Sequence, residues 1–172
     1  KMQQAFNKKT RTRDVAILTL FLGTGIRVSE CVGINVKDVD FEQNAFTVTR
    51  KGGNQVVLYF SDEVKNALLE WLNDRHIWLD SEKQDALFIS LQKTRLSIRA
   101  VENIVKKYSK IASPLKKISP HKLRSTYGTN LYRETGDIYV VAEVLGHKDV
   151  NTTKRHYAAM SEDIKRSVAN KV

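Results

Sequence analysis

Residues 119–157 read SPHKLRSTYGTNLYRETGDIYVVAEVLGHKDVNTTKRHY, and this stretch predicts a run of consecutive helices. Ser119-Pro120 has the pattern of an N-cap followed by proline at the first helical position, and the helix should cover His121–Glu134. A second helix is predicted over Asp137–Leu145. It should end at Gly146, because glycine readily takes the left-handed backbone that closes many helices. This region therefore predicts a largely helical fold.

The rest of the sequence predicts more helices and one β-hairpin. Helices are expected over Asp14–Leu22, from a Thr24 cap through Arg27, Glu30 and Val32, from Ser61 or Asp62 through Leu72, over Ser97–Ile111, from Asn151 to Tyr157, and over Ser161–Val172. The hairpin is expected because two β-prone runs flank a glycine turn. Its strands are Ala45–Arg50 and Gln55–Phe60, Asn35–Asn44 is expected to be a loop, and Ala86–Ile89 a short strand. The predicted class is mainly α with a small antiparallel β-sheet (α+β).

Composition fits one domain without disulfides. The chain has 172 residues, 41% hydrophobic and 28% charged, which is enough to bury a core. Its apolar stretches are too short to span a bilayer, so no membrane contact is expected. The single cysteine, Cys31, excludes an internal disulfide and indicates a reducing, cytoplasmic location; we expect it to be a small buried residue. Because the first residue is Lys1 rather than methionine, we expect a fragment.

Positive charge is concentrated in the second half of the chain. Residues 1–90 carry 12 basic and 12 acidic side chains, whereas residues 91–172 carry 17 and 7, which accounts for the net charge of +10. The segment Lys93–Arg124 alone has ten basic residues against one acid, Glu102. Such a surplus predicts a nucleic-acid-binding face, although a solvated surface would also explain it.

Five polar residues at sharp local features form a set suited to a phosphodiester: Arg27, His121, Arg124, His147 and Tyr157. A tyrosine oxygen can attack phosphorus, and fixed cations can hold the charge that develops on the phosphoryl oxygens. Each residue alone has a simpler explanation, such as a surface ion pair or a core tyrosine. The four histidines lack close paired spacing and no carboxylate cluster accompanies them, so no metal site is expected.

Taken in order, these residues resemble the tyrosine recombinases of the phage integrase family, most closely the Xer-type recombinases of Gram-positive bacteria. The resemblance is carried by the segments TGIRVSE (24–30), HKLR (121–124) and LGH (145–147), by Lys51 in the hairpin and by Tyr157, and it spans about residues 13–160.

The resemblance implies metal-free and cofactor-free breakage and rejoining of DNA. Tyr157 would attack the scissile phosphate to give a 3′-phosphotyrosyl link and a free 5′-hydroxyl. Arg27 and Arg124 would hold the non-bridging oxygens, and Lys51 would protonate the leaving oxygen. His121 would act as acid and base on the nucleophile side. His147 would hydrogen-bond the phosphate, and Glu30 would orient these groups from behind.

The same resemblance implies a domain plan and partners. Residues 1–172 would form one C-terminal catalytic domain, with 1–12 a linker remnant and 161–172 a helix that docks on a neighbouring subunit. An N-terminal DNA-clamping domain would be absent from this chain. The partners would be double-stranded DNA, three further copies in a homo-tetramer, and an accessory protein. The expected DNA-binding residues are Lys93, Arg95, Arg99, Lys106, Lys107, Lys116, Lys117 and Lys122.

Three departures from the family pattern stand out. His147 and Tyr157 are ten residues apart rather than the nine of many members. The segment STYG (125–128) stands where many relatives carry His, Thr, a Phe or Tyr, and Ala, and Gln55 replaces an expected basic residue. Alternative functions are a mobile-element or phage integrase, a type IB topoisomerase, and a DNA-binding module without catalysis.

Overall fold

The computed structural model describes residues 9–79, 83–147 and 149–157, together with the single positions 162, 166 and 169. In chain order its elements are α1 (Arg11–Thr24), α2 (Val28–Gly33), a 3-10 turn (Val36–Asp38), β1 (Val39–Asp40), β2 (Ala45–Thr49), β3 (Gln55–Tyr59), α3 (Asp62–Leu79), α4 (Ile98–Ala112), α5 (Pro120–Thr135), α6 (Ile138–Leu145) and α7 (Val150–His156). The predicted class, mainly helical with a small antiparallel sheet, is confirmed. Within the described residues, no helix is both long enough and apolar enough to cross a bilayer.

The junction between α1 and α2 differs from the prediction. Thr24 does not cap α2; it is the last residue of α1, where its hydroxyl donates a hydrogen bond to the Leu20 carbonyl at 2.6 Å. Gly25 then closes α1 with a left-handed φ of 65°, and Arg27 occupies the N-cap position of α2. The prediction was wrong because the glycine that breaks the helix lies after Thr24.

The sheet has the order β1-β2-β3 and is antiparallel throughout. The predicted hairpin is present, with Phe46 opposite Leu58 and Thr49 opposite Gln55. The segment expected to be a loop, Asn35–Asn44, instead contains the 3-10 turn and β1. Strand β1 forms because Val39 pairs with Phe46 on the free edge of β2, a contact that local polarity does not reveal.

The main core lies between α1, α3, α4 and the sheet, and it includes Trp71 and Phe88. The strand predicted at Ala86–Ile89 does not form; single bridges join Asn35 to Ala86 and Ile89 to Arg95. Two carbonyl groups of this segment accept hydrogen bonds from side chains instead: Arg75 Nη2 donates to Ala86 O at 2.6 Å, and Trp71 Nε1 donates to Leu87 O at 2.8 Å. Backbone bonds from Leu87 N to Ile34 O and from Leu96 N to Phe88 O satisfy further groups, so the segment needs no continuous partner strand.

The last third follows the prediction closely. Ser119 caps α5, with its hydroxyl accepting from the Lys122 N–H at 3.2 Å, and Asp137 caps α6 in the same way. Helices α5, α6 and α7 enclose a second apolar cluster that contains Tyr132, Val141, Leu145 and Tyr157. Cys31 is fully buried as expected, and burial raises the pKa of its thiol. The predicted helix over Ser161–Val172 lies outside the described residues except for three isolated positions.

Candidate active site

The junction between α1 and α2 places Arg27 and Glu30 in contact. Glu30 Oε1 accepts a hydrogen bond from the Arg27 N–H at 3.0 Å, and Glu30 Oε2 lies 3.4 Å from Arg27 Nη1. The Glu30 side chain is 3% exposed whereas that of Arg27 is 38% exposed. A buried carboxylate therefore restrains one side of a guanidinium whose other side remains open.

Helix α5 contributes His121 and Arg124 one turn apart. His121 is exposed in the first turn, while Arg124 is buried. The Arg124 guanidinium donates to the Gly25 carbonyl at 2.5 Å and also to the Leu145 carbonyl. These carbonyls belong to the α1–α2 junction and to the end of α6. Arg124 therefore ties together the elements that carry Arg27 and His147.

A glycine presents His147 at the end of α6. Gly146 has a left-handed φ of 69°, and the chain leaves the helix immediately after it. The His147 Nδ1 atom is hydrogen-bonded to Thr153 Oγ1 at 2.5 Å, and Thr153 is fully buried in α7. This bond connects His147 to the helix that leads to Tyr157. It also leaves Nε2 as the imidazole atom available to a ligand.

Tyr157 follows α7 and is buried at 3% exposure. Its ring packs 5.9 Å from that of Tyr132, and its hydroxyl rests on the backbone of Gly128, where a Cβ atom would lie 2.0 Å from Oη. The adjacent His156 is exposed. Burial raises the pKa of Tyr157, while the positive charge of Arg124 lowers it. The predicted nucleophile, Tyr157, is thus held in a buried position as a neutral phenol, under the influence of the positive charge of Arg124.

The hairpin carries Lys51 at its exposed tip, two residues after β2 ends at Thr49. The Arg50 N–H donates to the Asn54 carbonyl at 2.7 Å, which closes the turn. The Arg50 guanidinium points inwards and contacts Glu30 and the end of α6. The base of the hairpin is consequently fixed to the same elements that hold Arg27 and His147.

Three open pockets meet at His147. One of about 400 Å³ is lined by His121, Arg124, His147 and Tyr157, and a neighbouring one of about 390 Å³ by Arg27, His121, Arg124 and His147. The third, about 870 Å³, reaches from Arg27 and His147 to Lys51. The fold therefore gathers all six predicted catalytic residues around one connected depression, with Lys51 at its margin.

Positive charge dominates this depression. Burial, and then the nearby guanidiniums of Arg27 and Arg50, lower the pKa of Arg124 to about 10. Burial followed by the charges of Arg124 and Arg27 lowers the pKa of His147, so this imidazole is neutral at pH 7. Arg124 stays charged at pH 7, but burial leaves its charge poorly solvated, and the neighbouring guanidiniums of Arg27 and Arg50 repel it. A bound anion would offset that cost, so the site favours a phosphate.

The predicted DNA-binding residues fall into distinct groups. Arg99, Lys106, Lys116 and Lys117 line a pocket of about 670 Å³ between α4 and the loop before α5, together with Lys110, which the prediction omitted. Lys107 and Lys122 are exposed outside that pocket. The basic groove, as we call Arg99, Lys106, Lys110, Lys116 and Lys117, is thus a continuous surface.

Two members of the predicted set sit differently. Lys93 is half-buried in a turn, where its backbone φ is 66°. Arg95 is bonded to its own chain: Nη1 donates to the Val32 carbonyl at 2.8 Å, and Nη2 to Asn35 Oδ1 at 2.5 Å. These contacts anchor both Nη atoms of Arg95 to the fold while its side chain stays exposed, and its role in DNA binding stays a prediction.

Sequence reasoning did not identify Arg50 or Thr153. Arg50 lies next to Lys51, which is its only signal, whereas the family pattern places a basic residue at Gln55 across the turn. The signal for Thr153 was weak, since a hydroxyl six residues after His147 reaches it only through the turn into α7. Among the described residues, no group of three or more histidine, cysteine, aspartate or glutamate side chains is arranged to bind a metal ion.

Comparison with known proteins identifies the fold and the family. The family model described as "Phage integrase family" matches residues 1–163. The chain belongs to the phage integrase family. The resemblance based on TGIRVSE, HKLR, LGH and Tyr157 is therefore confirmed at the level of the family.

Several members of the phage integrase family are similar over most of this chain. Tyrosine recombinase XerC of Thermodesulfovibrio yellowstonii is 39% identical over 152 residues, covering 86% of the chain and 50% of the relative. Tyrosine recombinase XerD of Neisseria meningitidis serogroup B is 38% identical over 143 residues, covering 83% and 49%. The chain thus spans about half the length of the curated relatives that it matches.

Solved structures of family members share the architecture. A crystal structure of XerA recombinase superposes with a TM-score of 0.81 at 28% identity, covering 96% of this chain and 61% of that one. The XerH site-specific recombinase bound to its difH substrate before cleavage gives a TM-score of 0.79 at 24% identity, covering 90% and 47%. The second similarity shows the shared fold alone.

Proposed function

We propose that this chain is the catalytic domain of a site-specific tyrosine recombinase that cleaves and rejoins DNA through a 3′-phosphotyrosyl intermediate. One observation carries the proposal: two arginines and two histidines converge on adjoining pockets, one of which Tyr157 also lines. Their charge suits a phosphodiester, and the buried carboxylate nearby, Glu30, is already paired with arginine. Tyr157 supplies a nucleophile that a binding module would not need.

In the proposed reaction, the Tyr157 oxygen attacks phosphorus and the bond from phosphorus to the 5′-oxygen breaks. Arg27 and Arg124 hold the two non-bridging oxygens, and His147 donates a hydrogen bond to the phosphate through Nε2. This tautomer has its Nδ1 atom accepting from the Thr153 hydroxyl. The phosphoryl charge is thus stabilised by donors that the fold has already oriented, without a metal ion or nucleotide cofactor.

Two proton transfers accompany this step. The phenol proton of Tyr157 passes to His121, and the Lys51 ammonium protonates the departing 5′-oxygen. A second DNA strand with a free 5′-hydroxyl then displaces the tyrosine by the reverse path. Because the number and kind of ester bonds are unchanged, no external energy source is required. Glu30 serves as a positioning residue that holds Arg27.

The Tyr157 hydroxyl rests on Gly128 in the free chain, so attack requires α7 to move toward the phosphate. We propose that DNA in the pocket favours this movement. A phosphate would contact Arg124 and His147, and the bond between His147 and Thr153 transmits their position to α7. Because the free chain holds the Tyr157 hydroxyl against Gly128, cleavage would then occur only in the complex with DNA.

The proposed partners are double-stranded DNA and other copies of the protein. DNA would occupy the depression and the basic groove. Support comes from the solved structure of XerH, which is bound to its difH substrate. Following the family resemblance, we propose that the protein forms a homo-tetramer on DNA, linked by exchange of the segment 161–172. An accessory protein is a further proposed partner, and the proposed location of the reaction is the cytoplasm. Deleting 161–172 should abolish strand exchange while preserving cleavage; loss of both would contradict the exchange.

Xer-like recombination is the proposed biological class, with resolution of chromosome dimers as the role implied by the resemblance. It is supported by curated relatives at 38–39% identity, all named Xer recombinases. A plasmid with two directly repeated candidate sites tests it. Site-specific excision of the intervening DNA would support recombination, whereas relaxation of plasmids without any such site would support a topoisomerase.

The chemistry itself is tested by covalent trapping on a nicked suicide DNA in the presence of EDTA. The protein is used with all the flanking sequence of its natural chain, alongside Tyr157→Phe and His156→Ala. We expect an adduct that survives denaturation in wild type and in His156→Ala but is absent from Tyr157→Phe. An adduct that persists in Tyr157→Phe would refute the proposed nucleophile. DNA binding without any adduct would indicate a binding module.

A further inference from the structure

Arg50 is the most deeply embedded guanidinium around the depression that has no role in the reaction described above. Its side chain is 10% exposed, although it directly precedes the exposed tip residue Lys51. Nothing in the sequence resemblance gives it a function.

Arg50 makes contacts on two sides. Its Nε atom lies 3.2 Å from Glu30 Oε2, in a direction that makes an ion pair rather than an aligned hydrogen bond. Its Nη2 atom donates to the Val144 carbonyl at 2.9 Å, in the last turn of α6. One side chain thus bridges the hairpin to the carboxylate that holds Arg27 and to the helix end that presents His147.

The fold makes room for this guanidinium at Gly146. A Cβ atom at that position would lie 1.8 Å from Arg50 Nη1 and 2.6 Å from Cζ. Glycine is therefore needed twice at position 146, for its φ of 69° and for the close approach of Arg50. A guanidinium seated against backbone in this way has little freedom to turn toward a ligand.

The hairpin tip beyond Arg50 has few constraints of its own. Gly52 and Gly53 both have positive φ values, and no atom lies within 4 Å of where their Cβ atoms would be. Two hydrogen bonds cross the turn, from Arg50 N to Asn54 O and from Gly53 N to Arg50 O. Arg50 is consequently the last residue fixed by tertiary contacts before Lys51.

We propose that Arg50 is a positioning residue for Lys51: its contacts with Glu30 and Val144 set the register of the hairpin tip against the phosphate site. This inference rests on the proposed function, because it concerns the proton that Lys51 gives to the leaving oxygen. Loss of Arg50 should displace the ammonium while leaving the two phosphate-binding arginines in place. Arg124 is held separately by the Gly25 and Leu145 carbonyls. Arg27 keeps its own contacts with both oxygens of Glu30.

A substrate that needs no proton donor separates this role from a general effect on the fold. The same nicked DNA is prepared with sulfur in place of the bridging 5′-oxygen, because a thiolate departs without protonation. Single-turnover rates of adduct formation are measured on both DNAs for wild type, Lys51→Ala, Arg50→Met and Arg50→Lys. Arg133→Met, which removes an exposed arginine in the last turn of α5, is the matched control for charge.

We expect Arg50→Met to slow cleavage of the oxygen DNA by roughly 10- to 100-fold and to cleave the sulfur DNA at close to the wild-type rate. The same pattern is expected of Lys51→Ala. Arg50→Lys should be slowed similarly, because one ammonium cannot make both contacts. In a Lys51→Ala background, Arg50→Met should add no further loss. Arg133→Met should match wild type on both substrates.

Several results would overturn the inference. Equal losses of cleavage rate on both DNAs in Arg50→Met would indicate a structural or phosphate-binding role. A near-wild-type rate on the sulfur DNA, by contrast, would show that the variant is folded. A wild-type rate in Arg50→Lys or Arg50→Met would show that the two contacts are dispensable. Failure of wild type to form an adduct on either DNA would instead refute the proposed function, and this inference with it.

Discussion

Alanine at position 128 should collide with the stored hydroxyl of Tyr157. The added Cβ would lie 2.0 Å from Tyr157 Oη, but 3.1 Å from its Cζ and 3.0 Å from Leu145 Cδ1. The contact with oxygen is impossible without movement of the phenol, whereas the two carbon contacts need shifts of only a few tenths of an ångström. The clash therefore comes almost entirely from the hydroxyl.

The expected size of the effect follows from two opposing contributions. Replacing glycine by alanine inside a helix stabilises by about 1 kcal/mol where space is open. Overpacking a buried site costs about 1–3 kcal/mol. We expect Gly128→Ala to lower the free energy of unfolding by about 1 kcal/mol in wild type and to raise it by up to about 1 kcal/mol in Tyr157→Phe. The coupling energy between the two positions should thus be near ~2 kcal/mol.

The assay is urea denaturation of wild type, Gly128→Ala, Tyr157→Phe and the double variant, followed by circular dichroism. Gly33→Ala is the matched control, because its Cβ would meet no atom within 4 Å and α2 already ends there. It should cause little change or a small stabilisation in either background. If Gly128→Ala has the same effect with Tyr157 and with phenylalanine, the hydroxyl does not rest on Gly128 and the stored position is refuted.

Three further predictions concern other contacts. Thr153→Val removes the hydrogen bond to His147 without changing the shape of the side chain, and should lower the free energy of unfolding by about 1–3 kcal/mol and slow cleavage. Urea denaturation and the rate of covalent trapping measure these two effects. An unchanged trapping rate would contradict the coupling of His147 to α7. Burial, and then the Asp14 carboxylate that accepts from its hydroxyl, raise the pKa of Tyr108, so the folded state retains this proton longer than the unfolded chain. Its stabilising contribution is full below pH ~10 and lost as the pH rises further, and Tyr108→Phe should flatten this alkaline decline in the free energy of unfolding. Lys106→Ala should weaken DNA binding and reduce the slope of log K against log salt by about 0.9, whereas an unchanged slope would place DNA outside the basic groove.

Local sequence signals were sufficient for most helices. Ser119-Pro120 and the left-handed Gly146 mark the beginning of α5 and the end of α6 as predicted, because capping depends on residues adjacent in the chain. The Thr24 cap was misassigned for a local reason, the position of Gly25, but the two errors in strand assignment arose where a distant partner decided the outcome. Strand β1 depends on the edge of β2, and Ala86–Ile89 fails to form a strand because Arg75 and Trp71 bond its carbonyls.

Two departures from the family pattern are linked in space. The spacing of ten between His147 and Tyr157 and the glycine at position 128 lie far apart in sequence, yet the missing Cβ of Gly128 provides the space that the Tyr157 hydroxyl occupies. The sequence contains both departures, but only the packing of Tyr157 against α5 brings them together. The same applies to Arg50 and Gly146.

By itself, the sequence determined the helical class, the hairpin, the family and the identity of six candidate catalytic residues, because these depend on residue type, periodicity and order along the chain. Tertiary structure alone decided that the Tyr157 hydroxyl lies against Gly128, that Arg95 bonds the Val32 carbonyl, and that Arg50 joins the hairpin to α2 and α6. The physical reason is that the energy of a buried charge or hydroxyl depends on neighbours at a few ångströms, and chain order does not specify those neighbours.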